Sequence, residues 1–438
     1  MHRFLSVKGM AAHAAALTSQ PANPDSCAMS NTSAPAARQP SWTSFAPLLR
    51  WCAAVVLALA ALVCAPIDPV RAQSTPSALT TKARQAILID ADSGAMLFQH
   101  NADERMSPAS ISKLMTLAMI FKALKAGQVK LETEFLMSPN AWRKGGAPSR
   151  TSAMFVPVGT REPLEQLLQG IVVESGNDAA IAVAEGMAGS EAAFARAMTE
   201  EAQRLGMKKS TFANATGLYA PDHLTTARDL AILARHLIRE YPDQYPRFSQ
   251  KEFQYRKHLF RNRNPLLGSG IGVDGLKTGS IKESGFGIVT SAKQDNRRLI
   301  LVINGLDRQE DRKTEAIRLL EWGFKTFTEF RLFDADEVVG SARVWGGNRM
   351  YVPLTGNGAV NVILARTPAN PRLKAEIVYK GPLKTPIKKG DEVATLRVST
   401  GGQTINELPL YAAENVESAG VLKRGVDSLL HMMFRWLL

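Results

Sequence analysis

Apolar residues run unbroken from Trp51 to Ala65, with Arg50 before them and Val70-Arg71-Ala72 after. The run is shorter than the ~20 residues a spanning helix needs. A basic flank, an apolar core and a small-residue site instead predict a secretory signal cleaved near Gln73. Alternation follows in ARQAILIDADSGAMLFQHNAD, where Gln85–Asp90 and Ala95–Gln99 read as a hairpin turned at Asp92-Ser93-Gly94. Helical spacing then takes over from Ser110 to Ala126, and again over 164–171, 178–187, 191–205 and 227–239, with Gly127 and Gly206 as stops. Alternation returns at Phe286–Ala292 and Arg298–Asn304, before a last helix over 313–327. Strands at both ends with helices between them predict one mixed α/β domain whose first and last segments share a sheet.

From Leu332 to Leu410 the pattern is short alternating strands, among them VVGSARVWG, RMYVPL, VNVILAR, KAEIVYKG and EVATLRVS, punctuated by Gly and Pro. This is the pattern of a small all-β domain. The tail VLKRGVDSLLHMMFRWLL places Leu422, Val426, Leu429, Leu430, Met433 and Leu437 on one helical stripe, with Lys423, Arg424, Asp427 and Arg435 away from it. Two readings follow: a helix docked on its own domain, or one lying flat in a membrane surface. Large apolar residues, basic flanks and a terminal position favour the membrane.

The chain has 438 residues, enough for more than one domain, and a formal net charge of +13. No basic run interleaves with aromatic residues, so the charge reads as a solvated basic face and no nucleic-acid partner is expected. The three cysteines, Cys27, Cys52 and Cys64, all precede the expected cleavage site. Val63 is bulky for a lipoprotein site at Cys64, and the long Ala/Ser/Pro-rich stretch before Arg50 admits an internal start such as Met29. Disulfides and thiolate metal ligands are therefore excluded from the mature chain. The seven histidines have no H-x-x-x-H or H-x-H spacing, and no metal or cofactor is expected.

Candidate chemistry begins at SPASISKLMT, Ser107 to Thr116. Ser110 and Lys113 sit three apart and share a helical face, so the amine can reach the hydroxyl. A lysine serves as base only if burial or neighbouring cations lower its pKa. Lys113 precedes Leu114, Met115, Leu117 and Ala118, beside a buried stripe. Alone, Ser110 would read as a helix cap. A second element is Ser175-Gly176-Asn177, between two apolar helices. Its competitor Ser138-Pro139-Asn140 is assigned to an exposed loop. The third is Lys277-Thr278-Gly279 on a strand, where a glycine would let a ligand backbone approach and the lysine would add charge for a carboxylate.

S-x-x-K, S-x-N and K-T-G in this order resemble penicillin-binding proteins and class A β-lactamases. The fuller strings SPASISKLMT, ESGNDAA and VDGLKTG are most similar to low-molecular-mass D-alanyl-D-alanine carboxypeptidases, over about Ala83 to Leu438. The resemblance implies an α/β fold of the DD-peptidase/β-lactamase type: an antiparallel sheet with helices, then a small all-β domain and a C-terminal amphipathic helix. The layout expected is a leader over 1–72, a linker over 73–82, a catalytic domain over 83–329, a β-sandwich over 330–411, and a linker with the membrane-surface helix over 412–438.

By the same resemblance Ser110 is the nucleophile, Lys113 its base, and Ser175 a proton relay to the leaving D-alanine beside Lys277. Asn177 would hold the acyl amide, Thr278 the terminal carboxylate, and the strand at Gly279 and Ser280 would line the peptide. Backbone N–H groups of Ser110 and Ser280 would form the oxyanion hole. Arg263 and Arg312 correspond to positions near the carboxylate. The family often has a ring residue where Ser280 stands, so turnover or acyl-enzyme lifetime is expected to differ. The implied function is a periplasmic D,D-carboxypeptidase on the outer face of the inner membrane, acting on peptidoglycan stem peptides and acylated by β-lactam antibiotics. A D,D-endopeptidase is the nearest alternative. A non-catalytic lactam-binding protein is disfavoured by the intact motifs. A β-lactamase is disfavoured because no glutamate lies between Gln203 and Glu240 to activate a deacylating water.

Overall fold

The computed structural model describes residues 3–5, 79–366, 373–400 and 403–420; the leader core and the amphipathic tail lie outside them. Gln85–Asp90 (β1) and Met96–His100 (β2) form the expected hairpin, and β2 starts one residue later than the alternation predicts. Four longer helices follow: Lys113–Lys125 (α1), Asn177–Ala188 (α2), Glu191–Arg204 (α3) and Ala227–Glu240 (α4). Val273–Ile281 (β3), Gly285–Gln294 (β4) and Arg297–Leu306 (β5) then complete a five-stranded antiparallel sheet in the order β2-β1-β5-β4-β3. The first strand thus pairs with the last, Ile87 opposite Val302 and Ile89 opposite Ile300.

Every residue of β1 is buried because both faces of the sheet are covered. Ile87, Ile89, Ile300 and Val302 belong to the core that includes α1, α2 and α4. The alternate positions Leu88 and Leu299 face the helix Asp311–Thr326 (α5), whose Gly323 lets it settle on them: a Cβ there would lie 2.7 Å from Leu88 and 2.9 Å from Leu299. Period-two alternation thus feeds two cores from one strand.

Ser138-Pro139-Asn140 is not an exposed loop. It starts the short helix Pro139–Gly145, with Ser138 accepting from the Ala141 N–H and both Ser138 and Asn140 donating to Glu185 of α2. Serine at the cap and proline in the first turn are helix-starting residues, and here they outweighed the loop-forming GGAPS downstream. Ser110 does not open an α-helix directly either. It sits in a 3-10 turn, Ala109–Ser112, from which α1 continues.

The second region has two layers, antiparallel apart from one short parallel pairing. Phe327–Phe333 (β6) pairs with Val360–Ala365 (β9). The larger sheet contains Val338–Trp345 (β7), Tyr351–Thr355 (β8), Leu373–Val378 (β10), Leu383–Lys384 (β11), Glu392–Thr400 (β12) and Gln403–Ala412 (β13) in the order β10-β12-β13-β8-β7-β11. Arg3–Leu5 lies antiparallel along β10. Val362 from one layer and Val352, Leu354, Leu396 and Leu410 from the other share a core. β6 starts directly after α5, so its first residues precede position 330. Among the described residues no helix is long and apolar enough to cross a membrane.

Candidate active site

The 3-10 turn carrying Ser110 is held from two sides by glycines. Gly217, at φ +84°, packs so closely that a Cβ would lie 1.8 Å from the Ala109 carbonyl oxygen. Gly279 of β3 packs on the other side, where a Cβ would meet the Pro108 carbonyl oxygen at 2.9 Å and Ile111 at 3.0 and 3.1 Å. The glycine of K-T-G therefore makes room for the serine turn, whereas the sequence reading reserved that room for ligand backbone. Ala109 itself is left-handed, at φ +50°. β3 is the edge strand of its sheet, so its outer backbone groups stand free to pair with an extended chain.

Lys113, one turn after Ser110, is fully buried. Its Nζ lies 3.2 Å from Ser110 Oγ, 2.6 Å from Asn177 Oδ1 and 2.6 Å from the Thr216 carbonyl oxygen. Burial, then the charges of Lys277 and Arg263, hold its pKa well below the usual lysine range, against the opposing pull of Asp178 and Glu191. The hydrogen count then orients the amine. A neutral amine has two N–H groups and one lone pair. Asn177 and Thr216 offer acceptors but no hydrogens and take both N–H groups, so the lone pair is left for the Ser110 hydroxyl.

Asn177 opens α2 and is fixed at three points: its N–H donates to the Ser152 carbonyl, Nδ2 donates to Thr151 Oγ1, and Oδ1 accepts from Lys113. Asp178 beside it is buried and accepts N–H groups from Met154, Val156 and Ala179. Burial still raises its pKa, and those bonds oppose the rise. Ser175 ends a π turn over Gly170–Glu174 at φ +67°. It is 1% exposed, yet its hydroxyl has no hydrogen-bond partner in the protein. Such an orphan costs free energy and calls for a functional explanation.

Lys277 is buried and touches the Thr278 carbonyl at 3.3 Å. Burial, then Arg263, push its pKa down to about 7, with Glu174 opposing. Thr278 is buried and Ser280 exposed. Ser280 sits opposite Phe286 in the β3–β4 register, and the guanidinium of buried Arg312 lies 5.4 Å from the Phe286 ring centre. Burial, then Arg263, lower the Arg312 pKa. Arg263 ties two walls together by donating to Ser152 Oγ at 2.7 Å and pairing with Glu174. The Arg263 charge thus helps lower the pKa of Lys113, Lys277 and Arg312, and the four basic side chains gather in one cleft. Part of the net positive charge that the sequence reading gave to a solvated face is concentrated here, and a positive cleft draws in a carboxylate.

Several functional neighbours were not found from the sequence. Asn214 Oδ1 accepts from Thr216 N, Thr216 Oγ1 and Gly217 N, and its Nδ2 donates to the Leu218 carbonyl. One side chain thus folds the turn that presents a carbonyl to Lys113 and a bare Cα to Ala109. The string NATG, with Asn and Gly three apart, is a turn signal that could have marked it. Glu174 and Thr216 carried no such signal; the carbonyl of Thr216 is invisible in a side-chain reading. Among the described residues no cluster of three or more metal-ligating side chains occurs.

A hydroxyl against a buried amine, next to a cationic cleft and an open strand edge, is the arrangement that serine acyl transfer requires. The chain belongs to the D-alanyl-D-alanine carboxypeptidase family, whose model matches residues 72–307. Residues 327–418 match the C-terminal domain of penicillin-binding protein 5. D-alanyl-D-alanine carboxypeptidase DacC of Escherichia coli is 37% identical over 368 residues, covering 83% of this chain and 92% of that one. DacF of Bacillus subtilis is 31% identical over 351 residues, 79% and 89% of the two chains. The crystal structure of penicillin binding protein 5 from Haemophilus influenzae superposes with a TM-score of 0.69 at 32% identity, covering 78% of this chain and 99% of that one.

Proposed function

We propose that this protein is a serine D,D-carboxypeptidase that removes the terminal D-alanine from peptidoglycan stem pentapeptides through an acyl-enzyme on Ser110. The observation that carries the reading is the Lys113 amine, buried, depressed in pKa and 3.2 Å from the Ser110 oxygen, with Asn177 Oδ1 and the Thr216 carbonyl accepting its N–H groups. The stem peptide pairs along β3, with its terminal carboxylate at Thr278 among Lys277, Arg263 and Arg312, and its acyl amide on Asn177.

As the Ser110 oxygen bonds to the scissile carbonyl carbon, its proton passes to Lys113. The N–H groups of Ser110 and Ser280 hold the oxyanion, at about 3 kcal/mol of transition-state stabilisation each. Collapse breaks the C–N bond. The departing D-alanine amine takes the Ser175 hydroxyl proton, which is replaced from the Lys113–Lys277 pair; the orphaned Ser175 hydroxyl supports this relay. Water then attacks the ester carbonyl and gives its proton to Lys113, which returns it to the Ser110 oxygen as the acyl C–O bond breaks and the carboxylic acid leaves. A β-lactam acylates Ser110 by the same first step, and no leaving group departs to let water in. Gly279 acts by admitting the serine turn.

The layout proposed with this activity is a cleaved leader over 1–72, a catalytic domain from 83 to the end of α5, a β-domain over 327–418 that lifts the site off the membrane, and an amphipathic helix within 421–438. That helix holds the protein on the outer face of the inner membrane, in the periplasm. Purified protein should release D-alanine from a synthetic stem pentapeptide and form a covalent penicillin adduct, and Ser110→Ala should do neither. D-alanine release by Ser110→Ala would refute the assignment. Cleavage of a crosslinked stem dimer in preference to the pentapeptide would move the reading to an endopeptidase.

A further inference from the structure

Phe155 combines two features that folding alone disfavours. The residue is 43% exposed and its backbone is left-handed, at φ +63°. The backbone has a local cause. Asp178 gathers the N–H groups of Met154 and Val156 around its carboxylate, and such a nest places left-handed residues within it. Glycine is the residue that fits this conformation at least cost. A bulky aromatic stands there instead, pointing at solvent, so the side chain itself has a use.

The ring is also seated. Phe155 lies 5.3 Å from the His258 ring centre and 6.4 Å from that of Phe260, at interplanar angles of 33° and 18°. His258 and Phe260 are themselves 5.9 Å apart on one strand of the hairpin Glu252–Tyr255/His258–Arg261, with Phe253 stacked on Phe260. This shelf supports the Phe155 ring while much of the residue's surface stays exposed. The platform is rigidly registered to the catalytic groups. Its backbone is anchored on Asp178, next to Asn177, and the hairpin leads directly to Arg263. Phe155 is four residues from Thr151, which bonds Asn177, a reach of at most ~14 Å. That is within reach of the few extended residues separating the scissile bond from the sugar in a stem peptide.

We infer that Phe155, on its His258–Phe260 shelf, is a saccharide subsite on which a pyranose ring of the peptidoglycan glycan strand stacks while its stem peptide occupies β3. The axial C–H groups of an N-acetylated pyranose form an apolar face of the right size for one aromatic ring, and its edge remains hydrated. The inference rests on peptidoglycan being the substrate. A single seated ring suits one sugar better than a protein surface, which would bury a broad patch.

The test compares kcat/KM for a disaccharide-linked pentapeptide with that for the free pentapeptide. Wild type should prefer the disaccharide-linked substrate by about tenfold, the scale of one aromatic stacking contact. Phe155→Leu should bring the ratio close to one, and Phe155→Trp should keep it. An unchanged ratio in Phe155→Leu overturns the subsite, and so does equal use of the two substrates by wild type. The indole of Phe155→Trp also reports binding without turnover: saturable change in its fluorescence, relative to wild type, on titrating the free disaccharide supports the subsite, and none overturns it. If neither substrate releases D-alanine while the indole still reports the disaccharide, the hydrolase reading fails and the subsite stands.

Discussion

Adding one methyl group at Gly217 tests whether backbone packing sets the position of the nucleophile. In Gly217→Ala the new Cβ would lie 1.8 Å from the Ala109 carbonyl oxygen and 2.3 Å from its carbon. Ordinary C···O contact begins at ~3.3 Å, so turn and loop must separate by about 1.5 Å. If the Ser110 turn moves, the hydroxyl leaves Lys113. If the loop moves, the Thr216 carbonyl, now 2.6 Å from Nζ, passes beyond hydrogen-bonding range. A 1 Å misplacement of a reacting group is enough for about a hundredfold loss of rate. The stability cost is ~1–2 kcal/mol for a left-handed alanine plus ~1–3 kcal/mol of overpacking, which a typical domain survives. Gly127→Ala is the control: φ is +69° and nothing lies within 4 Å, so it carries the backbone cost alone. Thermal melting with the rate of fluorescent-penicillin labelling separates the two effects. Gly217→Ala should melt below Gly127→Ala and label at least about a hundredfold more slowly. Labelling within about threefold of wild type would refute the argument, because the clash would then have been absorbed without moving the site.

Asn214→Ala should leave the 216–217 turn unbraced, costing about 1–3 kcal/mol of stability and shifting the rising limb of the acylation pH profile, whereas a merely structural role would leave that profile in place. Lys277, held down to about 7, should lose its proton as pH rises, so kcat/KM for a carboxylate-ended peptide should fall above about pH 7 while kcat falls less; a flat profile between pH 6 and 8 would count against a charged Lys277. His223 is buried, and desolvation pushes its pKa from 6.5 to about 4. Its neutral form therefore contributes stability that is complete above about pH 6.5 and is lost as pH falls to about 4, on the order of 3 kcal/mol. Denaturant titrations should show this acid loss in wild type and a flatter limb in His223→Gln, and identical slopes would exclude it.

The sequence by itself determined the period of most of the longer elements, their order in the first region, and the three motifs carrying Ser110, Lys113, Ser175, Asn177 and Lys277, and left the short hairpin over 252–261 unread. Periodicity records which face of an element is buried, and a buried face is a local property of the chain. The sequence misplaced the helix after Ser138, where capping chemistry and loop composition competed. Tertiary structure alone decided what each motif residue touches. The Gly279 gap belongs to the serine turn, because β3 is carried there by a sheet whose β5 pairs with β1 near the other end of the domain. The lone pair of Lys113 is aimed by a backbone carbonyl 103 residues away. The cations around Lys277 come from separate elements whose side chains meet only after folding. Burial, the cause of both lysine shifts, depends on the sum of all those neighbours, and no local pattern encodes it.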